Sequence, residues 1–248
     1  MFRFFYIIFI NLFRVPYIIP RLMYMAGHVE NYTDEERYKR AKGFVRMIKV
    51  SGFIRTKTYG KENLPQSGGY ILFPNHQGKY DALGIVHAHD KPCGVVMDEA
   101  KSHAPVTSQI ITITGGKRMK VNDVRQALTV IREMAEEAKN GKIFVIFPEG
   151  GYRRNHNTLQ EFKPGSFKCA TMAKVPIVPV ALIDSWKVFE GFGNLLPVRT
   201  EVHFLKPIMP EEYEGLKTTE IAELVKGRIQ EKIDEVLSER EKKNKKAA

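Results

Sequence analysis

The chain has 248 residues, 43% of them apolar, and a net charge of +11. The length suits one domain of ordinary size with appendages, and the apolar share is enough for a packed core, which excludes a disordered chain. The positive excess calls for an anionic partner or surface, and the two cysteines, Cys93 and Cys169, lack CxxC spacing and read as free thiols in a reducing compartment.

The first segment, 1–27, is apolar and aromatic but interrupted by Arg3, Arg14 and Arg21. Its longest charge-free run, Phe4 to Phe13, falls short of the roughly 20 residues that a membrane-spanning helix needs. On one helix the three arginines would share a face to within about 20°. This pattern predicts a helix lying in a membrane interface, arginines at the headgroups and aromatics below. Pro16 and Pro20 should kink or split it. Arginines recurring beyond the apolar run disfavour a signal peptide.

The domain proper is expected over 28–240. Thr33-Asp34-Glu35-Glu36 reads as a capping box, opening a helix that should run to Ser51 and close at Gly52. "IRTKTYG" alternates like a half-buried strand, and "GYILFP" reads as a buried one. "DALGIVHAH" predicts a helix and "PCGVVMD" a strand. Asn122 is the expected cap of a long helix whose apolar face runs through Val124, Ala127, Leu128, Ile131, Met134, Ala135 and Ala138. "KIFVIFPEGG" is a strand entering glycines, a helix begins near Pro164, and "VPIVPVALI" and "TEVHFLKP" are strands. An amphipathic helix starts near Thr218, and 241–248 is a basic tail. Strands alternating with helices predict an α/β fold, a mostly parallel central sheet flanked by helices. In such sheets chemistry collects beyond the carboxyl ends of the strands.

Two strand ends carry unusual residues. His76 follows Pro74-Asn75, and Asp81 lies five residues on. A helix would set such a pair about 140° apart, so they meet only if the segment between them turns, as Gly78 permits. A carboxylate on one imidazole nitrogen fixes the tautomer and leaves the other nitrogen free to take a proton. There is no GxSxG, so a serine nucleophile has no context. The remaining chemistry is direct: His76 removes a proton from a substrate hydroxyl. The alternative is that these residues merely cap a loop and a helix. His87 and His89 read as surface or helix-end residues, and Trp186 as packing. No metal-ligand spacing appears. The basic residues do not interleave with aromatics in a nucleic-acid motif, so no nucleic-acid partner is expected.

"NHQGKYD" resembles the NHx4D signature of the glycerolipid acyltransferase family, whose best-known member class is 1-acylglycerol-3-phosphate acyltransferase. "FPEGGYRRN" resembles that family's FPEGxR block, "LQEFKPGSFKCA" the segment after it, and "VPIVPVAL" its last block. The likeness covers roughly residues 55 to 205, in the family's order. Two departures stand out. Arginine usually comes three residues after the glutamate, whereas Arg153 comes four after Glu149, with Arg154 beside it. The second block, "ITITGGKRMKVNDVRQAL", offers Arg118, or Lys120 if aligned on the following helix.

The resemblance implies acyl transfer from an acyl thioester, carried by CoA or an acyl carrier protein, to the free hydroxyl of lysophosphatidic acid. His76 would be the general base and Asp81 its orienter. Backbone N–H groups at Gly150 and Gly151 would face the oxyanion. Arg118, Arg153 and Lys163 would hold the acceptor phosphate, and Glu149 would orient an arginine or the acceptor. No cofactor is implied. Membrane lipids are expected partners, at the cytoplasmic face. A different lyso-lipid acceptor, or a non-catalytic lipid binder of the same fold, stays open.

Overall fold

The computed structural model describes residues 2–120, 122–190 and 195–247. The chain begins with α1 (Phe2–Ile10), α2 (Val15–Gly27) and α3 (Asp34–Ser51), followed by β1 (Ile54–Tyr59), β2 (Tyr70–Pro74), α4 (Asp81–Ala88) and β3 (Gly94–Asp98). Next come α5 (Glu99–Ser102), α6 (Thr107–Ile113), β4 (Lys117–Met119), α7 (Val124–Lys139) and β5 (Ile143–Val145). The last elements are α8 (Lys168–Ala173), β6 (Ile177–Ile183), α9 (Lys187–Glu190), β7 (Val198–Phe204), α10 (Pro210–Tyr213) and α11 (Thr218–Ala247).

The expected elements are all present, several at the expected residue. Thr33 caps α3 through a reciprocal box: its hydroxyl accepts from Glu36 N, and the Glu36 carboxylate accepts from Thr33 N. Three details differ. Asp123, not Asn122, caps α7, because its carboxylate reaches Gln126 N. Val124 is therefore in the first turn and 82% exposed, while Val130, Ile131, Met134, Ala135 and Ala138 face the core. Helix α11 runs on through the basic tail. Short elements such as β4, α5, α9 and α10 left no period to read, being three or four residues long.

The seven described strands form one sheet in the order β1-β7-β6-β2-β5-β3-β4. All neighbours are parallel except β6 and β7, so β1 and β7 run against the other five. Strand β2 is buried along its whole length, as a central parallel strand covered on both faces should be. Its alternation splits the core. Ile71 and Phe73 pack with α7, α8 and α11, while Tyr70 and Leu72 pack with α2, α3 and α4. Because β2 lies between β6 and β5, the segments leaving the carboxyl ends of these three strands lie side by side.

The N-terminal segment departs from its expected geometry. It breaks at residues 11–14, and α1 and α2 meet at 94°. Among the described residues no single helix is long and apolar enough to cross a membrane. Arg14 and Arg21 are exposed, but Arg3 is buried: its guanidinium donates to the carbonyls of Gly52 and Leu196. The single arginine stripe is thus corrected, because the bend lets Arg3 pin α1 to the domain. Phe2, Phe5, Phe9, Phe13, Tyr17 and Tyr24 stay exposed along the pair.

The α7 assignment has a direct check. Met134→Ala should lower the unfolding free energy by about 2–5 kcal/mol, whereas Val124→Ala should change it by less than about 0.5 kcal/mol, both read from urea denaturation.

Candidate active site

Strand β2 ends at Pro74, which cannot donate to a ladder. Asn75 continues the pairing with its side chain instead: Nδ2 donates to Leu182 O at 3.1 Å, and Oδ1 accepts from Leu182 N at 2.7 Å. The amide thus mimics one more peptide unit against β6 and delivers His76 to the end of the sheet.

His76 and Asp81 do meet. Nδ1 of His76 lies 2.7 Å from Oδ2 of Asp81. The same oxygen accepts from Gln77 N at 2.5 Å and Gly78 N at 2.8 Å, and the Ser185 hydroxyl donates to Oδ1. Asp81 begins α4 and is completely buried, while the His76 side chain keeps 18% of its surface exposed. A buried carboxylate is tolerable only with such a set of donors, and a helix N-terminus favours its charge. Donation from Nδ1 leaves Nε2 as the proton acceptor of the neutral ring, and Nε2 has no protein partner among the described residues. Gly78 contributes its N–H rather than a special backbone shape. It has no positive φ, and an added Cβ would touch only Trp186 Cα, at 3.6 Å.

Two aromatic rings hold the imidazole. Phe147 stacks on it at 4.2 Å, and Tyr152 meets it edge-on at 4.8 Å. Tyr152 stands where the sequence pattern led to an arginine, three residues after Glu149.

Glu149, in the segment after β5, bonds no arginine among the described residues. Its Oε1 accepts from His76 N at 2.8 Å and its Oε2 from Gln160 Nε2 at 2.5 Å. Burial raises its pKa, and the His76 and Gln160 donors only partly oppose this. The carboxylate therefore ties the β5 segment to the β2 segment. Gly150 is also reassigned: its N–H closes a turn onto Phe147 O at 3.1 Å, at φ 69°, so it is not available to an oxyanion. Gly151 N–H carries no protein partner among the described residues.

Of the expected cations, Lys163 packs against the Glu149 turn. A Cβ placed on Gly150 would lie 2.6 Å from its Nζ. Arg153 is exposed in the same loop. Arg118 is elsewhere, on edge strand β4, three strand steps or roughly 14 Å from β2. Its Nη2 donates to Ser108 O, Ser108 Oγ and Thr112 Oγ1 at 3.1–3.2 Å. Lys120 pairs with Glu99 at 3.6 Å.

Other residues were not legible as members of the site. Gln77 Nε2 donates to Leu182 O and Asn157 Oδ1, both at 2.8 Å, and Asn157 Nδ2 donates to Asp184 Oδ1 at 3.0 Å. These are polar residues without a motif, brought in by the fold. Trp186 stacks on His156 at 3.8 Å, beside the site rather than in the core. His89 lies at a helix end, closing α4, and not at the surface. It is buried, bonds Tyr70 Oη at 2.7 Å, and burial lowers its pKa to about 4. Cys93 and Cys169 are buried, their pKa values pushed to about 12, which removes both as nucleophiles. Among the described residues no three His, Cys, Asp or Glu side chains could hold a metal ion.

A buried carboxylate bonded to a strand-end imidazole, with a second carboxylate clamping the same segment, now accounts for both sequence blocks. A family model described as Acyltransferase matches residues 55–183, more than half of the chain. The chain belongs to the acyltransferase family. It is 27% identical over 199 residues to the 1-acyl-sn-glycerol-3-phosphate acyltransferase of Saccharomyces cerevisiae, covering 79% of this chain and 65% of that one. It is 29% identical over 180 residues to the enzyme of that name from Salmonella typhimurium, covering 70% and 72%. Against the alpha form from Ovis aries the match spans 61% of the relative's length. The chain thus spans a little under two thirds of the yeast and sheep relatives. A crystal structure of the 1-acyl-sn-glycerophosphate acyltransferase of Thermotoga maritima superposes with a TM-score of 0.74 at 21% identity, covering 94% of this chain and 93% of that one. That acyltransferase therefore shares the fold.

Glu149 allows a stability test. Because its folded pKa is raised, its contribution is present below the ordinary glutamate value of 4.5 and is lost as pH rises through the folded value. The stability of wild type relative to Glu149→Gln should therefore fall as pH rises above 4.5. Denaturant unfolding from pH 4 to 7 would measure this; a flat difference would show that the carboxyl titrates normally.

Proposed function

We propose that this acyltransferase moves a fatty acyl group from an acyl thioester, of CoA or of an acyl carrier protein, to the free hydroxyl of lysophosphatidic acid, giving phosphatidic acid. The observation that carries this is the 2.7 Å bond from His76 Nδ1 to a fully buried Asp81, with Nε2 unpartnered. The names of the relatives supply the acceptor.

The chemistry is a single displacement. His76 Nε2 takes the proton of the glycerol hydroxyl as the oxygen attacks the thioester carbon. Asp81 steadies the imidazolium. The new C–O bond leaves a tetrahedral oxyanion, for which Gly151 N–H is the candidate donor. The C–S bond then breaks, and the imidazolium returns its proton to the thiolate. The thioester is already activated, so no covalent enzyme intermediate is needed. Lys163 and Arg153, in the segment after Glu149, are the cations offered to the acceptor phosphate, with Arg118 a more distant candidate. The exposed aromatics of α1 and α2 would lie in the lipid interface, presenting the site to a lipid acceptor on the cytoplasmic face.

His76→Ala should reduce acyl transfer from palmitoyl- or oleoyl-CoA to lysophosphatidic acid by about 10²–10⁴-fold, measured beside wild type in detergent. Equal activity of the two would sink the mechanism. Arg153→Ala should weaken discrimination between phosphorylated and unphosphorylated acceptors, seen as a raised KM for lysophosphatidic acid alone; unchanged acceptor affinity would remove Arg153 from the phosphate grip. Phe9→Asp combined with Phe13→Asp should lower flotation with anionic vesicles, and undiminished flotation would acquit these aromatics of membrane binding.

A further inference from the structure

Asp81 has two oxygens, and they are not equally served. Oδ2 takes His76 Nδ1 and two backbone N–H groups, all from its own segment. Oδ1 is served by Ser185 Oγ, 104 residues away, in the segment leaving β6. Ser185 is buried, and its hydroxyl has a second acceptor at hand, Gln77 Oε1 at 3.0 Å. A hydroxyl has one proton, so its direction must be decided. The surrounding amides decide it. Gln77 Nε2 must face Leu182 O and Asn157 Oδ1, which fixes Oε1 toward Ser185. That Oε1 already accepts Ser185 N at 3.0 Å. The hydroxyl proton therefore goes to the carboxylate oxygen, the stronger acceptor of the two.

We propose that Ser185 is a positioning residue that sets the strength of the base by donating to the carboxylate behind it. The inference rests on His76 being the general base. A donor on Oδ1 draws off part of the carboxylate charge and so weakens its hold on the imidazolium. Removing that donor strengthens the hold and keeps the ring protonated to higher pH. The other ionisable groups facing His76 are Glu149, whose carboxylate takes the His76 N–H, and the Tyr152 phenol, which lies near Asp81 and Glu190. Among the described residues neither bonds Ser185, so a Ser185 substitution acts on His76 through Asp81.

The test is the pH dependence of kcat/KM for acyl transfer to lysophosphatidic acid, measured for wild type, Ser185→Ala, Ser185→Thr and Ser185→Cys, with a melting curve for each. Ser185→Ala should move the acid limb up by about half to one pH unit, a loss of about 3–10-fold below the limb that vanishes at high pH. Ser185→Thr, which keeps the hydroxyl, should leave the limb in place. Ser185→Cys, a weak donor of similar size, should move it upward and covers the case in which the alanine variant fails to fold. A uniform fall at every pH with the limb unmoved would overturn the proposal, since that is the signature of a merely structural anchor. His76→Ala measured alongside separates the two levels. An inactive His76→Ala with an unmoved limb refutes this inference alone, and an active one refutes the general base and this inference together.

Discussion

The Asp81 carboxylate is shut away from water, and most of the site's architecture follows from supplying its two oxygens with donors there. A buried carboxylate without partners would cost several kcal/mol. Four donors prevent this: one ring nitrogen, two backbone N–H groups and one hydroxyl. Three come from the turn that follows β2, which explains why the histidine and aspartate are five residues apart and not on one helix face. The fourth comes from the segment after β6. It can reach only because β6 is hydrogen-bonded directly to β2.

The β6 segment is itself braced. Asp184, beside Ser185, is tied to Asn157, Lys187 and Arg240. Burial pushes its carboxyl up, but these donors outweigh that and hold its pKa below the ordinary value. Arg240 of α11 also reaches Glu201 on β7 at 2.7 Å, and the His203 bond, with Arg240, lowers the Glu201 pKa to about 2. The last helix therefore does more than cover the sheet. It pins the loop that carries Ser185, so the geometry around the imidazole depends on the last helix as well as on the sheet. Glu149 plays the matching part on the β5 side, through His76 N and Gln160.

The N-terminal pair combines two demands on one short segment. Arg3 and Asn11 turn inward, Asn11 bonding Ile7 O and Ser51 Oγ at 2.8 Å, and these contacts fix α1 to the end of α3. The aromatics that remain outside are the surface that the proposed membrane contact would use. The 94° bend gives two short helices instead of one long one.

Local signals alone carried the helix α3 box, the buried run of β2, the α/β alternation and the pair His76 and Asp81, because each is written within a few neighbouring residues. The family likeness followed from four such blocks in order. What the sequence could not decide was adjacency. A hydrophobic strand says that it is buried but not beside which strand, so the reversal of β1 and β7 and the central place of β2 belonged to the tertiary structure. So did Ser185, Gln77, Asn157 and Gln160, ordinary polar residues whose meaning comes from contacts across tens of residues. The same holds for the corrections at Arg3 and Gly150, and for the partners of His89 and Glu149. A charge, an imidazole or a glycine has several possible uses, and only the partners that packing supplies select one.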